Sequence, residues 1–202
     1  METKPEMRAY DRLLQVAAAQ LTAPPRLDLA LAAREADVPI EDARGWFADA
    51  DALCAAVIEH QMVLLTDHLI RRATAVPGDD LVAQLRELTH AYIDWFFDNP
   101  VGGRLLVSPP AMAFASQQDV RRFSDAIYNL ALSMMERARD AGLIKTDIDI
   151  PQVMLAMRAL TLGIVLLQDL NHARLWGNPS DPRAALMGIM DTYFDLATKR
   201  TD

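Results

Sequence analysis

The stretch RLDLALAAREADVPIEDARGWF, residues 26 to 47, constrains this chain more tightly than any other part of it. It reads as a short helix, a tight turn and a second short helix. Asp28 is placed to cap the first of these by accepting a bond from an orphan backbone N–H. Leu29, Ala32, Ala33 and Ala36 then fall on one face at three- and four-residue steps. Asp37 sits where the chain must reverse, and Asp tolerates the left-handed conformation better than most residues other than glycine. Val38 supplies an apolar plug between the helices. Pro39 suits the first turn of a new helix, where its missing N–H would be unsatisfied anyway, and Ala43 and Phe47 continue the inner face. Small residues where two helices cross, a plug at the turn and an aromatic closing the far end make a helix-turn-helix.

The flanking sequence supplies helices on both sides. Residues 7 to 22 form a first helix with Tyr10, Leu13, Leu14, Ala17 and Leu21 inward, stopped by Pro24 and Pro25. A long fourth helix starts at Asp49 or Asp51, with Leu53, Val57, Leu64 and His68 along one side, and Pro77-Gly78 ends that segment. Asp79 or Asp80 caps a fifth, running to about Asn99 with Leu81, Leu85, Leu88, Tyr92, Trp95 and Phe96 in a stripe. A short helix is expected near Val101 to Val107. The apolar loop from Ser108 to Ser116 follows. Residues 117 to 141 read as another helix with Val120, Phe123, Ile127, Leu130, Met134 and Ala138 inward, and Gly142 is placed as its C-cap. Two more helices follow, about 150 to 175 and 181 to 198. The first is apolar nearly all round between Leu160 and Leu167, so it must be covered on both sides. A second copy of the chain is the simplest cover, with Leu160, Ile164, Leu167, Ile189, Met190 and Tyr193 as candidate contacts and Gly163 allowing close approach. No strand pattern competes, so the fold class is all-α.

Composition narrows the function classes. The formal charge is −8, which gives no general electrostatic case for nucleic-acid binding. The single cysteine, Cys54, excludes a disulfide within one chain and reads as a small buried apolar residue. The N-terminus METKPEMRAYDR has no apolar segment of a signal peptide. The run ALTLGIVLL at 159 to 167 is far shorter than the roughly 20 residues a spanning helix needs. A soluble, cytoplasmic protein is expected, with no membrane partner.

With those residues in view, positions 10 to 60 resemble the DNA-binding domain of TetR-type transcriptional regulators. The resemblance rests on Leu13, Ala17 and Leu21 in the first helix, Leu29 and Ala33 in the second, Ala36 and Val38 at the turn, and Phe47, Ala52, Leu53 and Val57 leading into the fourth. It implies a helix-turn-helix domain over 1–50, an effector-binding and dimerisation domain over 51–202, and a homodimer that regulates transcription in response to a small molecule. Carried over position by position, the DNA-facing residues are Arg26, Pro39, Ile40, Arg44, Gly45 and Trp46, and double-stranded DNA is the implied partner.

Several positions depart from the family pattern. Leu27 and Asp28 stand where the family places phosphate-holding hydroxyls. Pro39, Ile40, Glu41 and Asp42 occupy the start of the recognition helix, where the family often has a serine and a basic residue. Arg44 replaces a backbone-touching tyrosine, Gly45 and Trp46 occupy the next two ring-bearing positions, and Ala50 replaces a lysine. Residues 1 to 60 carry six basic and eleven acidic side chains, a net of −5, whereas most non-specific DNA affinity comes from cations at phosphates. A relative that keeps the fold but has lost DNA binding, acting as a small-molecule-binding or protein-interaction module, is the alternative reading.

In the body, His90, Tyr92, Trp95, Phe96, Met112, Phe114, Tyr128, Met134, Met154 and Met157 are the candidate effector-binding residues, with Met135 among the same set. Methionines adapt to irregular apolar shapes and aromatics supply flat walls, so a small apolar or aromatic effector is expected. His90 and Arg104 are its candidate polar anchors. No catalytic constellation stands out: His60 and His68 are eight apart, outside an HExxH spacing, and no Gly-rich nucleotide loop is present. The chain therefore reads as not an enzyme, with no cofactor and no metal.

Overall fold

The computed structural model of the chain describes residues 4–22, 27–108, 118–169 and 181–198. Those residues form helices α1 (Lys4–Leu21), α2 (Leu29–Glu35), α3 (Ile40–Trp46), α4 (Ala50–Ala75), α5 (Leu81–Asp98), α6 (Pro100–Leu106), α7 (Gln118–Asp140), α8 (Ile150–Asp169) and α9 (Pro182–Ala197). The extended structure among them is one isolated antiparallel bridge between Ile144 and Thr198. The all-α architecture with an N-terminal helix-turn-helix is as the sequence indicates. The loop from Ser108 to Ser116 lies outside the described residues except for Ser108.

Helix starts follow the aspartates. Asp28 accepts from the Leu31 N–H at 2.7 Å, Asp49 from Ala52 at 2.8 Å, Asp80 from Ala83 at 2.9 Å and Asp181 from Ala184 at 3.1 Å. Each satisfies one donor that the first turn of a helix leaves unpaired. Between the paired possibilities in the sequence, Asp49 rather than Asp51 caps α4, and Asp80 rather than Asp79 caps α5. Pro100 occupies the first position of α6, where no N–H is needed.

Two helix ends use the same left-handed turn. At the end of α7, Gly142 has φ +76° and the Leu143 N–H reaches back to the Ala138 carbonyl at 2.9 Å. At the end of α2, Asp37 has φ +54° and the Val38 N–H bonds the Ala33 carbonyl at 2.9 Å. These are Schellman ends, and each places an apolar residue just beyond the turn.

By contact the chain divides into two compact units. One comprises Met1–Leu64 with Pro100–Arg121, the other Leu65–Asn99 with Arg122–Asp202. In the first, α1 packs on α2 and on α6, and α2 packs on α3. Leu13, Leu14, Ala17, Ala32, Ala33, Ala43, Leu53 and Val57 are all buried to within about a hundredth of full exposure. In the second, α9 packs on α5 and α8, and α5 also packs on α8. Ile93 of α5 with Leu186 and Met190 of α9 form a buried cluster, flanked by Phe97, Met157, Leu160 and Met187.

Two expected faces shift. Leu64, expected inward on α4, is 41% exposed, and the buried stripe of that region instead runs through Leu65, Leu69 and Ala73 at four-residue steps. Met190, expected at a surface between copies, is fully enclosed by its own chain. Ile189 and Leu167 remain about half and two-fifths exposed. A one-residue error in phase rotates a helical position by about 100°, which is the size of both corrections.

By length and hydropathy α4 is apolar enough to cross a membrane. Its apolar character is used otherwise, because Leu53, Val57, Ile58, Leu65 and Leu69 are each at most 1% exposed inside protein.

Candidate functional site

The helix-turn-helix is held by its own backbone and by one arginine. Arg12 of α1 donates from Nε to the Ala36 carbonyl at 3.1 Å and from a terminal nitrogen to the Asp37 carbonyl at 3.3 Å. It thus ties the first helix to the C-terminal end of α2, where the helix dipole also favours a cation. Its side chain stays exposed while it makes these bonds. Gln20 of α1 donates to Glu35 at 2.7 Å, a second tie to α2.

At the far end, Tyr10 stacks on Phe47 and meets Trp46 edge-on, both with ring centroids 5.5 Å apart. Trp46 is therefore partly committed to the head's own packing. Pro39 precedes α3 in an extended conformation without a side-chain cap. Ile40 is half-buried, whereas Arg44 and Gly45 are exposed. A Cβ at Gly45 would meet nothing within 4 Å, so the glycine keeps that surface low without being required by packing. Glu41 and Asp42 are exposed in the first turn of α3. They favour the helix by complementing its dipole and oppose an incoming phosphate. Arg26 lies outside the described residues.

Cys54 is buried at the start of α4. Burial pushes its thiol above the usual value and the Asp51 charge adds to that, so it is an inert packing residue rather than a thiolate.

The body contains a cavity of about 360 Å³, partly open to solvent, within the second unit. One wall is α4, through Thr66, Leu69, Ile70, Ala73 and Thr74. The facing wall is α7, through Ala126, Ile127, Leu130, Met134 and Arg137, and Gln84 of α5 closes one end. Leu69, Ala73 and Met134 are buried and form its floor, while Ile70, Thr74, Ala126 and Arg137 are exposed at its mouth. Thr74 spends its hydroxyl on the Ile70 carbonyl at 2.7 Å and Gln84 donates to the Val76 carbonyl at 3.2 Å. The volume falls within the range of about 300–1,000 Å³ usual for small-molecule sites.

Of the effector-binding residues named from sequence, Met134 lines this cavity. The other described ones stand elsewhere. Trp95 and Phe96 are buried and pack edge-to-face at 5.2 Å, and Phe96 stacks on Tyr92 at 5.0 Å. The Tyr92 hydroxyl accepts from Arg158, whose guanidinium also lies over the ring. Met154 is buried, Met157 packs beside the Ile93 cluster, and Tyr128 is 47% exposed. Met112 and Phe114 lie outside the described residues. The cavity residues the sequence reading missed share a signal that could have found them. Positions 66, 69, 70, 73 and 74 make a stripe on α4, and 126, 127, 130, 134 and 137 make one on α7. Which two stripes face each other is not written in either.

His90 is drawn into a ladder of charges. Its Nε2 is 2.9 Å from Asp191 of α9, and Arg86 donates to Asp191 at 2.5 Å and to Asp195 at 2.8 Å. Arg183 pairs with Asp94 and Asp98, and Arg72 with Glu87 and Asp94. Burial alone would raise the Asp191 carboxyl. Hydrogen bonds from Arg86 and the charges of His90 and Arg86 outweigh it and hold the group below the usual carboxylate value. These pairs fasten α5 to α9 and α4 to α5 and leave His90 with a structural partner.

No protein-family model matches the sequence, and no curated protein does. Solved structures do match. A TetR-family transcription regulator from Marinobacter aquaeolei VT8 superposes with a TM-score of 0.74 at 12% identity, over 98% of this chain and 99% of that one. The fatty acid degradation regulator FadR from Bacillus halodurans matches with 0.74 at 11% identity, over 98% and 100%. A protein of unknown function from Rhodococcus sp. RHA1 matches with 0.74 at 23% identity, over 95% and 96%. The fold is therefore that of the TetR-family regulators, from the helix-turn-helix through the helical body.

Proposed function

We propose that this chain is a transcriptional regulator that binds double-stranded DNA through its helix-turn-helix, works as a homodimer and answers a small apolar effector. The observation that carries the reading is the head itself. Its turn is locked by the Val38–Ala33 and Arg12–Ala36 bonds, and Arg44 and Gly45 stand exposed on the second helix of the motif. A helix so presented can enter the major groove, where arginine can pair with a guanine edge. The homodimer is supported by exposed Leu155, Leu166, Leu167, Ile189 and Leu196 on the last two helices, apolar side chains that a second copy would cover.

The cavity between α4 and α7 is the proposed effector site. An effector that prefers one position of the α4 segment 66 to 74 biases that helix, and with it the spacing of two heads in a dimer. The bias is limited to the effector's preference between the two states. Two heads reading successive major grooves need a separation of about 34–36 Å.

A second reading is favoured by one specific observation. Glu41 and Asp42 are exposed at the start of α3, in a head with a net charge of −5 over residues 1 to 60. On that reading the fold is kept and the head meets a protein partner instead of DNA. Fluorescence anisotropy with DNA from upstream of the protein's own gene, at low salt, separates the two. The first reading expects binding that Arg44→Ala weakens by about tenfold or more, since a good bidentate base contact is worth about 1–3 kcal/mol. Absence of binding at micromolar dimer favours the second.

A further inference from the structure

We infer that the cavity between α4 and α7 takes an apolar monocarboxylate, with Arg137 as the group that holds the carboxylate at the mouth. The inference rests on the reading of this cavity as the effector site and deepens it by naming the ligand's chemistry. Its floor, Leu69, Ala73 and Met134, offers only apolar surface, which selects a hydrocarbon or aromatic body. Among the described residues, Arg137 is the one charged side chain on the wall, and it has no ion pair or hydrogen-bond partner there.

The surrounding charges make this situation specific. Arg72, Arg86 and Arg183 are each bonded to two carboxylates, and Arg71 is paired with Asp67 one turn away on α4. The carboxylates of those pairs are thus engaged, and no carboxylate lines the wall to satisfy Arg137 from within. A guanidinium presents five N–H donors in a planar fork, accepts nothing, and matches a carboxylate with two parallel bonds. Two further polar groups on the wall are already engaged: Thr74 donates to its own helix and Gln84 donates to the Val76 carbonyl. A ligand with an apolar body and one terminal carboxylate fills the floor and pairs the cation at the mouth. A cationic ligand meets repulsion there, and a neutral one gains only the floor.

The test uses two pairs of probes in which only the charge differs: octanoate with octanamide, and naphthaleneacetate with naphthaleneacetamide. Each is titrated calorimetrically into the full chain at neutral pH and low ionic strength. The expected result, for at least one pair, is an acid that binds about three- to tenfold more tightly than its amide, because Arg137 is exposed and its pairing is screened. The preference should shrink as salt rises. Arg137→Gln should abolish it while leaving amide binding as it was, and Arg137→Lys should restore part of it. Ala126→Trp, at the exposed rim, should block both members of the pair and so place the binding in this cavity. Equal affinity of acid and amide, or a preference that survives Arg137→Gln, overturns the inference and leaves the effector-site reading standing. No binding by any of the four probes counts against both.

Discussion

The head and the body of this chain are built from opposite materials. The head is made of small residues: Ala17, Ala32, Ala33, Ala36 and Ala43 are all buried, and its turn is held by main-chain bonds and one arginine. The body is made of large ones, Ile93, Trp95, Phe96, Met190 and Phe194, laced by ion pairs. The difference teaches where each region stores its specification. In the head, close helix approach leaves no room for added atoms, so shape is fixed by what is absent. In the body, side-chain bulk keeps the helices apart, and the space left between α4 and α7 becomes a cavity.

That contrast can be broken by substitutions of opposite sign. In the body, Ile93→Ala removes fully buried bulk and should cost about 2–5 kcal/mol in denaturant unfolding. In the head, Ala43→Leu adds bulk to a site with no exposure and should cost about 1–3 kcal/mol, with the loss of hydrogen-exchange protection concentrated in α3. If Ala43→Leu were neutral, close packing would not be what defines the head. Asp28→Ala removes the cap on the Leu31 N–H and should cost about 1 kcal/mol, with exchange of the first α2 amides rising first.

Asp37→Gly sharpens the comparison between the two Schellman ends. It places at the head's turn the residue that α7 uses at Gly142, relieves a left-handed side chain, and should be stabilising or neutral by a few tenths of a kcal/mol. A clear loss would show that the Asp37 side chain contributes something the fold does not reveal. The smallest effect expected is on pH. Asp191 is held below the usual carboxylate value in the folded chain, so its contribution is present above about pH 4, the unfolded value, and is lost as pH falls further. Melting temperature followed from pH 7 to pH 3 should therefore drop at the acid end, and Asp191→Asn should make that drop shallower.

The same contrast explains what could be read from sequence. The head was legible because its signals are local: a cap three residues from its donor, a turn residue that tolerates positive φ, an apolar residue after it. Asp28, Asp37, Val38 and Pro39 each carry their structural role within a few positions. The body was legible as helices, since Asp80, Asp181 and Gly142 mark their ends. Its cavity was not, because it depends on the pairing of two distant helix faces. The aromatic residues that looked like ligand walls, Trp95 and Phe96, satisfy one another. His90 meets Asp191 across 101 positions, a partner no local pattern announces.

The central claim is that the head fits a DNA groove by shape while its charges add little. The salt dependence of DNA binding tests it most directly. In the described head, Arg8, Arg34 and Arg44 are the exposed arginines apart from Arg12, which serves the turn. With one or two phosphate contacts per head, a dimer should show log K falling against log salt with a slope of about −2 to −4. No binding at micromolar dimer in about 50 mM salt, or a slope steeper than about −6, would contradict the account.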